Sequence, residues 1–132
     1  MRLRGTGFLQ LAVGICQVPW DHTQGECIGN DAESCDYYSD GNCFQNGDSN
    51  PGNERWVDKD KIGMEVNMKL RQVSFYKNGR RQPVYFANIP RRVYFAAGIG
   101  KTGATCTIIK LARRKKSSFK RGPSDIKAEW KF

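Results

Sequence analysis

The 132-residue chain reads as all-β: an antiparallel β-sandwich of two sheets, followed by an irregular basic tail. Three observations predict this. Short apolar runs are separated by polar turns, and the 14 glycines suit turns between strands better than helices. Residues 62–68 (IGMEVNM) alternate, with Ile62, Met64, Val66 and Met68 on one side and Gly63, Glu65 and Asn67 on the other. Asn78-Gly79 separates two apolar runs, and both residues accept the positive φ of a tight hairpin.

The elements follow in order. Residues 8–16 (FLQLAVGIC) are apolar nearly throughout and predict a buried strand. Residues 17–60 are polar, with short strands expected only at 35–38 and 43–45, around the SDG turn signal at 39–41. The alternating 62–68 strand comes next. Strands at 73–76 and 84–87 flank the Asn78-Gly79 turn, and 93–99 with 104–111 make the last expected pair, joined by GKTG at 100–103. No internal repeat is present. The division expected is a sandwich over 1–111 and a basic tail over 112–132.

Composition narrows the function classes. No run approaches the length of a membrane helix. Arg2 and Arg4 precede an apolar stretch, as in a secretory leader, but Gln10 and Gly14 interrupt it and no small-x-small cleavage site follows. Five cysteines, an odd count, fit reduced thiols and a cytoplasmic or nuclear location. The net charge of +9 is uneven: residues 21–60 hold ten acids and two bases, and residues 61–132 hold eighteen bases and three acids. Such segregation speaks to partners rather than fold.

The sites that would make an enzyme or a metalloprotein are weak. GIGKT (98–102) resembles half of a phosphate-binding loop. A full loop needs an earlier Gly, where Phe95 stands, and a helix after the Lys, where GATCTIIK favours a strand. Cys27, Cys35 and Cys43 are eight residues apart, unlike the close pairs of zinc sites. Asp36, Asp40 and Asp48 suggest calcium, but Tyr38 occupies a position where such a loop needs an oxygen ligand. The single His22 has no evident nucleophile arrangement. No catalytic residue, metal or cofactor is expected.

Several motifs in register resemble the SPRY domain, above all the type found in Ran-binding protein M. VGIC (13–16) resembles the family's VGV strand, and SCDYYSDGNCFQNG (34–47) its Ser-x-Gly-Tyr-x-x-Asp-Gly segment. DKIGMEVN (60–67), VSFYKNGR (73–80), and FANIP followed by VYFAAGI (93–99) resemble the strands that come next. The departures are Asp60 before Lys61, Phe95 in place of Pro, and Asp36 where Gly is usual. The strands that normally precede VGV do not fit in the dozen residues ahead of it, so the resemblance is to a shortened domain in which those strands are either missing or supplied by another chain or segment. The resemblance implies a non-catalytic interaction module, within a larger hetero-complex, that binds a peptide or protein surface through loops at one end.

By that resemblance the binding loops carry Trp20, Asp21 and His22 after the first strand, and Lys101 and Thr102 near the last. Trp20 is good interface chemistry, because a Trp buries much area at low entropy cost; its alternative is to cap the core. Arg80, Arg81, Arg91 and Arg92 attract an acidic partner, pair across the domain, or are solvated. Arg113, Arg114, Lys115, Lys116, Lys120 and Arg121 form a basic cluster with Phe119 inside it. The second reading is therefore a nucleic-acid or polyanion-binding component acting through the tail. The bland alternative is a solvated tail, or one held by Trp130 and Phe132 against the sheet.

Overall fold

Turn residues and apolar alternation produce eleven strands and no helix among the residues that the computed structural model describes, namely 2–4, 11–18, 28–57, 59–99, 105–107 and 121–132. In chain order the strands are β1 (Arg2–Arg4), β2 (Leu11–Gln17), β3 (Ser34–Tyr38), β4 (Cys43–Gln45), β5 (Asp48–Asn50), β6 (Ile62–Asn67), β7 (Gln72–Lys77), β8 (Arg80–Ala87), β9 (Val93–Ile99), β10 (Thr105–Thr107) and β11 (Ile126–Glu129). One sheet has the order β5-β4-β3-β2-β9 and is antiparallel throughout. The second has the order β11-β8-β7-β6, with β11 parallel to β8. Strands β1 and β10 form a separate antiparallel pair.

The period of two decides what enters the core. Leu11, Val13 and Ile15 of β2, Cys35 and Tyr37 of β3 and Cys43 of β4 face Ile62, Val73, Phe75, Val84, Phe86 and Ala128 of the other sheet. Trp56, Ile89 and Trp130 enter the same cluster from the connecting segments. Tyr37 and Phe75 bridge the sheets with ring centroids 5.5 Å apart. Strand β2 is buried on both faces, as its unbroken apolar run predicts. Gly14 cannot be larger, because a Cβ there would run into the carbonyl of Cys35. On the outer face Ile28 lies directly over Gly98.

The β7–β8 hairpin turns on Asn78 (φ 50°) and Gly79 (φ 82°), as expected. Strand β8 begins at Arg80, earlier than the expected 84, and holds Pro83. A register shift between Ser74 and Tyr76 absorbs that proline, which has no N–H to give to the ladder. Val84 N donates instead to Asn53 Oδ1 (2.8 Å), and Glu54 N donates to Gln82 Oε1 (2.8 Å). The bulge thereby docks the segment that inserts Trp56.

Three expectations change. The 62–68 alternation ends at Asn67, whose Oδ1 accepts from Leu70 N and turns the chain, leaving Met68 exposed. Strands β9 and β10 are not each other's partners: β9 lines β2 over its whole length, because a strand buried on both faces needs neighbours on both edges, and β10 pairs with β1. The GKTG connection itself lies outside the described residues. Finally, within the segment read as an irregular tail, β11 is a strand. Ala128 and Trp130 face inward, and Lys127 and Glu129 form an exposed ion pair.

Trp130 ties the sheets together. Its backbone N donates to Ala87 O (3.0 Å), its Nε1 donates to Ala32 O (3.0 Å), and its ring meets Phe86 edge-on. Trp130→Ala is expected to lower stability by about 3–5 kcal/mol, from lost burial and a cavity between the sheets. Urea unfolding followed by tryptophan fluorescence measures it, and a loss under about 1 kcal/mol would contradict this placement.

Candidate interaction surface

The register sorts the loops between the two ends of the sandwich. Gln17 is opposite Val93, and Leu11 is opposite Ile99. The chain therefore leaves β2 at one end and leaves β9 at the other, about 20 Å away for seven residues of strand. The first end also carries the β6–β7 turn (68–71) and the β8–β9 connection (88–92). Arg71 Nε donates to Ile89 O (2.7 Å) and Ile89 N donates to Arg71 O (3.2 Å), locking the two together. Arg71 takes φ 54° to close its turn. Val18 N donates to Arg92 O (2.9 Å), which brings in the start of the loop after β2.

This end presents apolar and cationic groups side by side. Leu70 is 58% exposed and Met68 41% in the turn; Tyr94 is 54% exposed and Phe95 48% on β9. Strand β9 is an edge strand among the described residues, so Tyr94 and Phe95 leave from opposite faces and both meet solvent. Between them and the turn lie Arg91 and Arg92, both exposed, with Lys69 next to Leu70. Exposed clusters of aromatic, Met and Arg residues are typical of binding surfaces. The sequence signal was faint, because MKLR and PRRVYF read locally as a strand end and a strand start.

The four arginines singled out from the sequence divide into two pairs. Arg80 Nη2 donates to both carboxylate oxygens of Glu54 (3.1 and 3.0 Å), and Arg81 pairs with the buried carboxylate of Asp125 at 2.5 Å. Burial works against the Asp125 charge, but the Gly122 N–H and Arg81 outweigh it and hold the carboxyl below its ordinary value. Arg91 and Arg92 form no ion pair among the described residues.

Trp20, Asp21, His22, Lys101 and Thr102 lie outside the described residues, as do Arg113, Arg114, Lys115, Lys116 and Lys120. Arg121 is described and is held by the fold. Its guanidinium carbon sits 3.5 Å from the centre of the Tyr85 ring, its Nε and Nη2 donate to Gln72 Oε1, and Nη2 donates to Ser74 Oγ (2.7 Å). The stack covers the outer face of β7 and β8 just ahead of β11. Arg121→Ala is expected to cost about 1–3 kcal/mol in stability, and Arg121→Lys to recover only part of it, since an ammonium cannot stack and fork together. Thermal unfolding of both variants measures this.

Of the remaining candidate ligand groups, the described cysteines and Asp36 are buried, and Asp48 is exposed and paired with Lys131. Cys16, Cys35 and Cys43 are buried free thiols, and burial pushes Cys35 and Cys43 well above the ordinary thiol value. Cys27 lies outside the described residues. No group of three or more metal-ligating side chains occurs among the described residues. Thr105–Thr107 is strand, where a phosphate-binding loop requires helix. Asp36 lies beneath Gly29 on the outer face of the five-stranded sheet. Burial raises its pKa to about 8, with the Phe44 N–H (3.1 Å to Oδ1) opposing and the charge of Asp40 adding. The folded chain thus keeps a proton that the unfolded chain releases near pH 4. The Asp36 contribution is full below that pH, falls as pH rises to about 8, and is level above. Asp36→Asn is expected to flatten this slope in urea unfolding at pH 5, 7 and 9.

Comparison with known proteins places these features in a family. The SPRY domain family model matches residues 6–112. Strand β11 and Trp130 lie beyond the matched span and still complete the second sheet. No curated protein matches the chain. SPRY domains are generally protein-interaction modules and the family is non-catalytic. With most of its length matched and a two-sheet all-β sandwich in place, the chain belongs to the SPRY domain family.

Proposed function

We propose that this SPRY domain is a protein-interaction module whose partner docks at the end bounded by Val18, residues 68–71 and residues 88–95. The observation that carries the reading is the exposure of Met68, Leu70, Tyr94 and Phe95 at the same end as the exposed Arg91 and Arg92. Trp20, Asp21 and His22 follow Val18 within four residues, so their loop departs from this surface and contributes an aromatic contact. Ile99 ends β9 at the opposite end, and this reading builds the docking surface without Lys101 and Thr102, which lie outside the described residues. Within the family, the motifs favour the Ran-binding protein M type. The module works as a subunit of a larger cytoplasmic or nuclear complex, and an extended partner segment adds to the edge of β9 that no strand among the described residues pairs with.

The polyanion reading through the tail is weaker at Arg121, whose guanidinium is engaged by Gln72, Ser74 and Tyr85. Affinity capture from native lysate tests both readings. The chain is compared with Trp20→Ala, Lys101→Ala and a variant with Ala at Arg113, Arg114, Lys115 and Lys116. Retention of the same few proteins at raised salt, lost in Trp20→Ala and kept in the others, is the expected result. Retention that survives Trp20→Ala but collapses in the tail variant or with salt overturns the docking surface in favour of polyanion binding.

A further inference from the structure

The fold separates cations that are already satisfied from cations that are not. Arg80 and Arg81 are spent on Glu54 and Asp125, and Arg121 on Tyr85, Gln72 and Ser74. Lys69, Arg91 and Arg92 are exposed and form no ion pair among the described residues, and all three stand at one end of the sandwich. The nearby carboxylate of Glu129 is taken by Lys127 and by Asn88 Nδ2. Residues 66–73 and 88–95 contain no acid at all. Leu70 and Met68 in the turn, and Tyr94 and Phe95 on the two faces of the start of β9, add exposed apolar area at the same end.

We infer that this surface takes an acidic segment of a partner protein, one that carries apolar side chains between its carboxylates. The inference rests on the interaction-module reading and names the partner's chemistry. Carboxylates suit Arg91 and Arg92 because a guanidinium fork donates to both oxygens of one carboxylate. Apolar anchors suit Leu70, Met68 and Phe95, which supply the burial that charge pairs at a wet surface do not. A nucleic acid would satisfy the arginines and waste the aliphatic part of the surface. A basic peptide would meet like charge. The Arg71–Ile89 double hydrogen bond holds the two halves of the surface in fixed relation, so little ordering is required on binding.

The test uses the full chain and fluorescence anisotropy. The probe is a labelled short peptide of Glu and Leu. Its comparators are an all-Glu peptide, a Lys and Leu peptide and a single-stranded oligonucleotide of the same length. The Glu–Leu peptide is expected to bind best and to weaken as salt rises. Arg91→Glu with Arg92→Glu should weaken it about tenfold or more, and Leu70→Ser should weaken it about threefold or more. These residues are exposed, so unchanged circular dichroism of each variant shows that the fold is intact. Equal binding of the oligonucleotide or the all-Glu peptide overturns the inference, as does Glu–Leu binding unaffected by the double charge reversal. If the Glu–Leu peptide fails while lysate proteins are still captured by the double variant, the acidic-partner inference is wrong and the module reading stands. If no protein is captured by any form of the chain, the module reading fails with it.

Discussion

The sandwich depends on how Trp130 closes one end. It is a large apolar ring with a polar handle, so it sits at the seam where both are needed. The ring fills the core against Phe86, the backbone N–H extends the β8 pairing to Ala87, and the indole N–H reaches across to Ala32. Gln45 continues the seam: its side chain accepts from Lys131 N (2.7 Å) and donates to Lys131 O (2.9 Å). A buried glutamine with both ends satisfied costs little and fixes direction, which is why Gln45 faces inward among apolar neighbours. The bonds from Gln45 and the indole N–H span more than eighty residues of sequence, so the first sheet and the last strand are specified together.

The opposite end is closed by a different device. Pro83 cannot serve a ladder, and the bulge it occupies frees the Val84 N–H to be met by Asn53. Gln82 holds Glu54, Glu54 O accepts from the Tyr37 hydroxyl, and Trp56 then lies edge-on to Tyr37 in the core. The Trp56 indole N–H is buried without a partner among the described residues, a cost that the ring's burial outweighs. A loop of low hydrophobicity is thus anchored by side-chain hydrogen bonds to one irregularity in β8. This explains how a polar stretch can deliver Trp56, the largest fully buried side chain among the described residues.

Electrostatics follows from these two closures. The acids of residues 21–60 are drawn partly into structural roles: Asp31 holds Ser34 and the Glu33 N–H, Asp40 caps the turn to Asn42, and Asp60 bonds Asn78 and the Val57 N–H. Asp125 draws Arg81 toward β11. Among the described cations that form no ion pair, Lys69, Arg91 and Arg92 gather at the end formed by the β6–β7 turn and the β8–β9 connection, whose residues 66–73 and 88–95 hold no acid, while Arg55, Lys59, Lys61 and Lys77 lie elsewhere. The cations of this end, with no acid in the segments beside them, form a local positive surface, and localised charge steers partners.

The sequence by itself determined the class of fold and the position of most strands. Period-two alternation and Asn-Gly chemistry are local and need no partner to be read, and β2, β3, β4, β7 and β9 match the expected runs within a residue or two where described. The five motifs in register were enough to reach the family, since each marks a strand or turn whose spacing the sandwich enforces. Only the tertiary structure decided the rest. Asp48–Asn50 is a strand because β4 offers it an edge, and nothing in three polar residues announces that. Ile126–Glu129 is a strand because β8 is open beside it and Trp130 has a seam to fill; in the sequence, the preceding run of lysines and arginines masked its alternation. Whether an arginine is free or already paired depends on distant carboxylates, as Arg80 with Glu54 and Arg81 with Asp125 show. The candidate surface was therefore only partly legible along the chain: Arg91 and Arg92 stood out, but which cations folding leaves without an acid was decided by the tertiary structure.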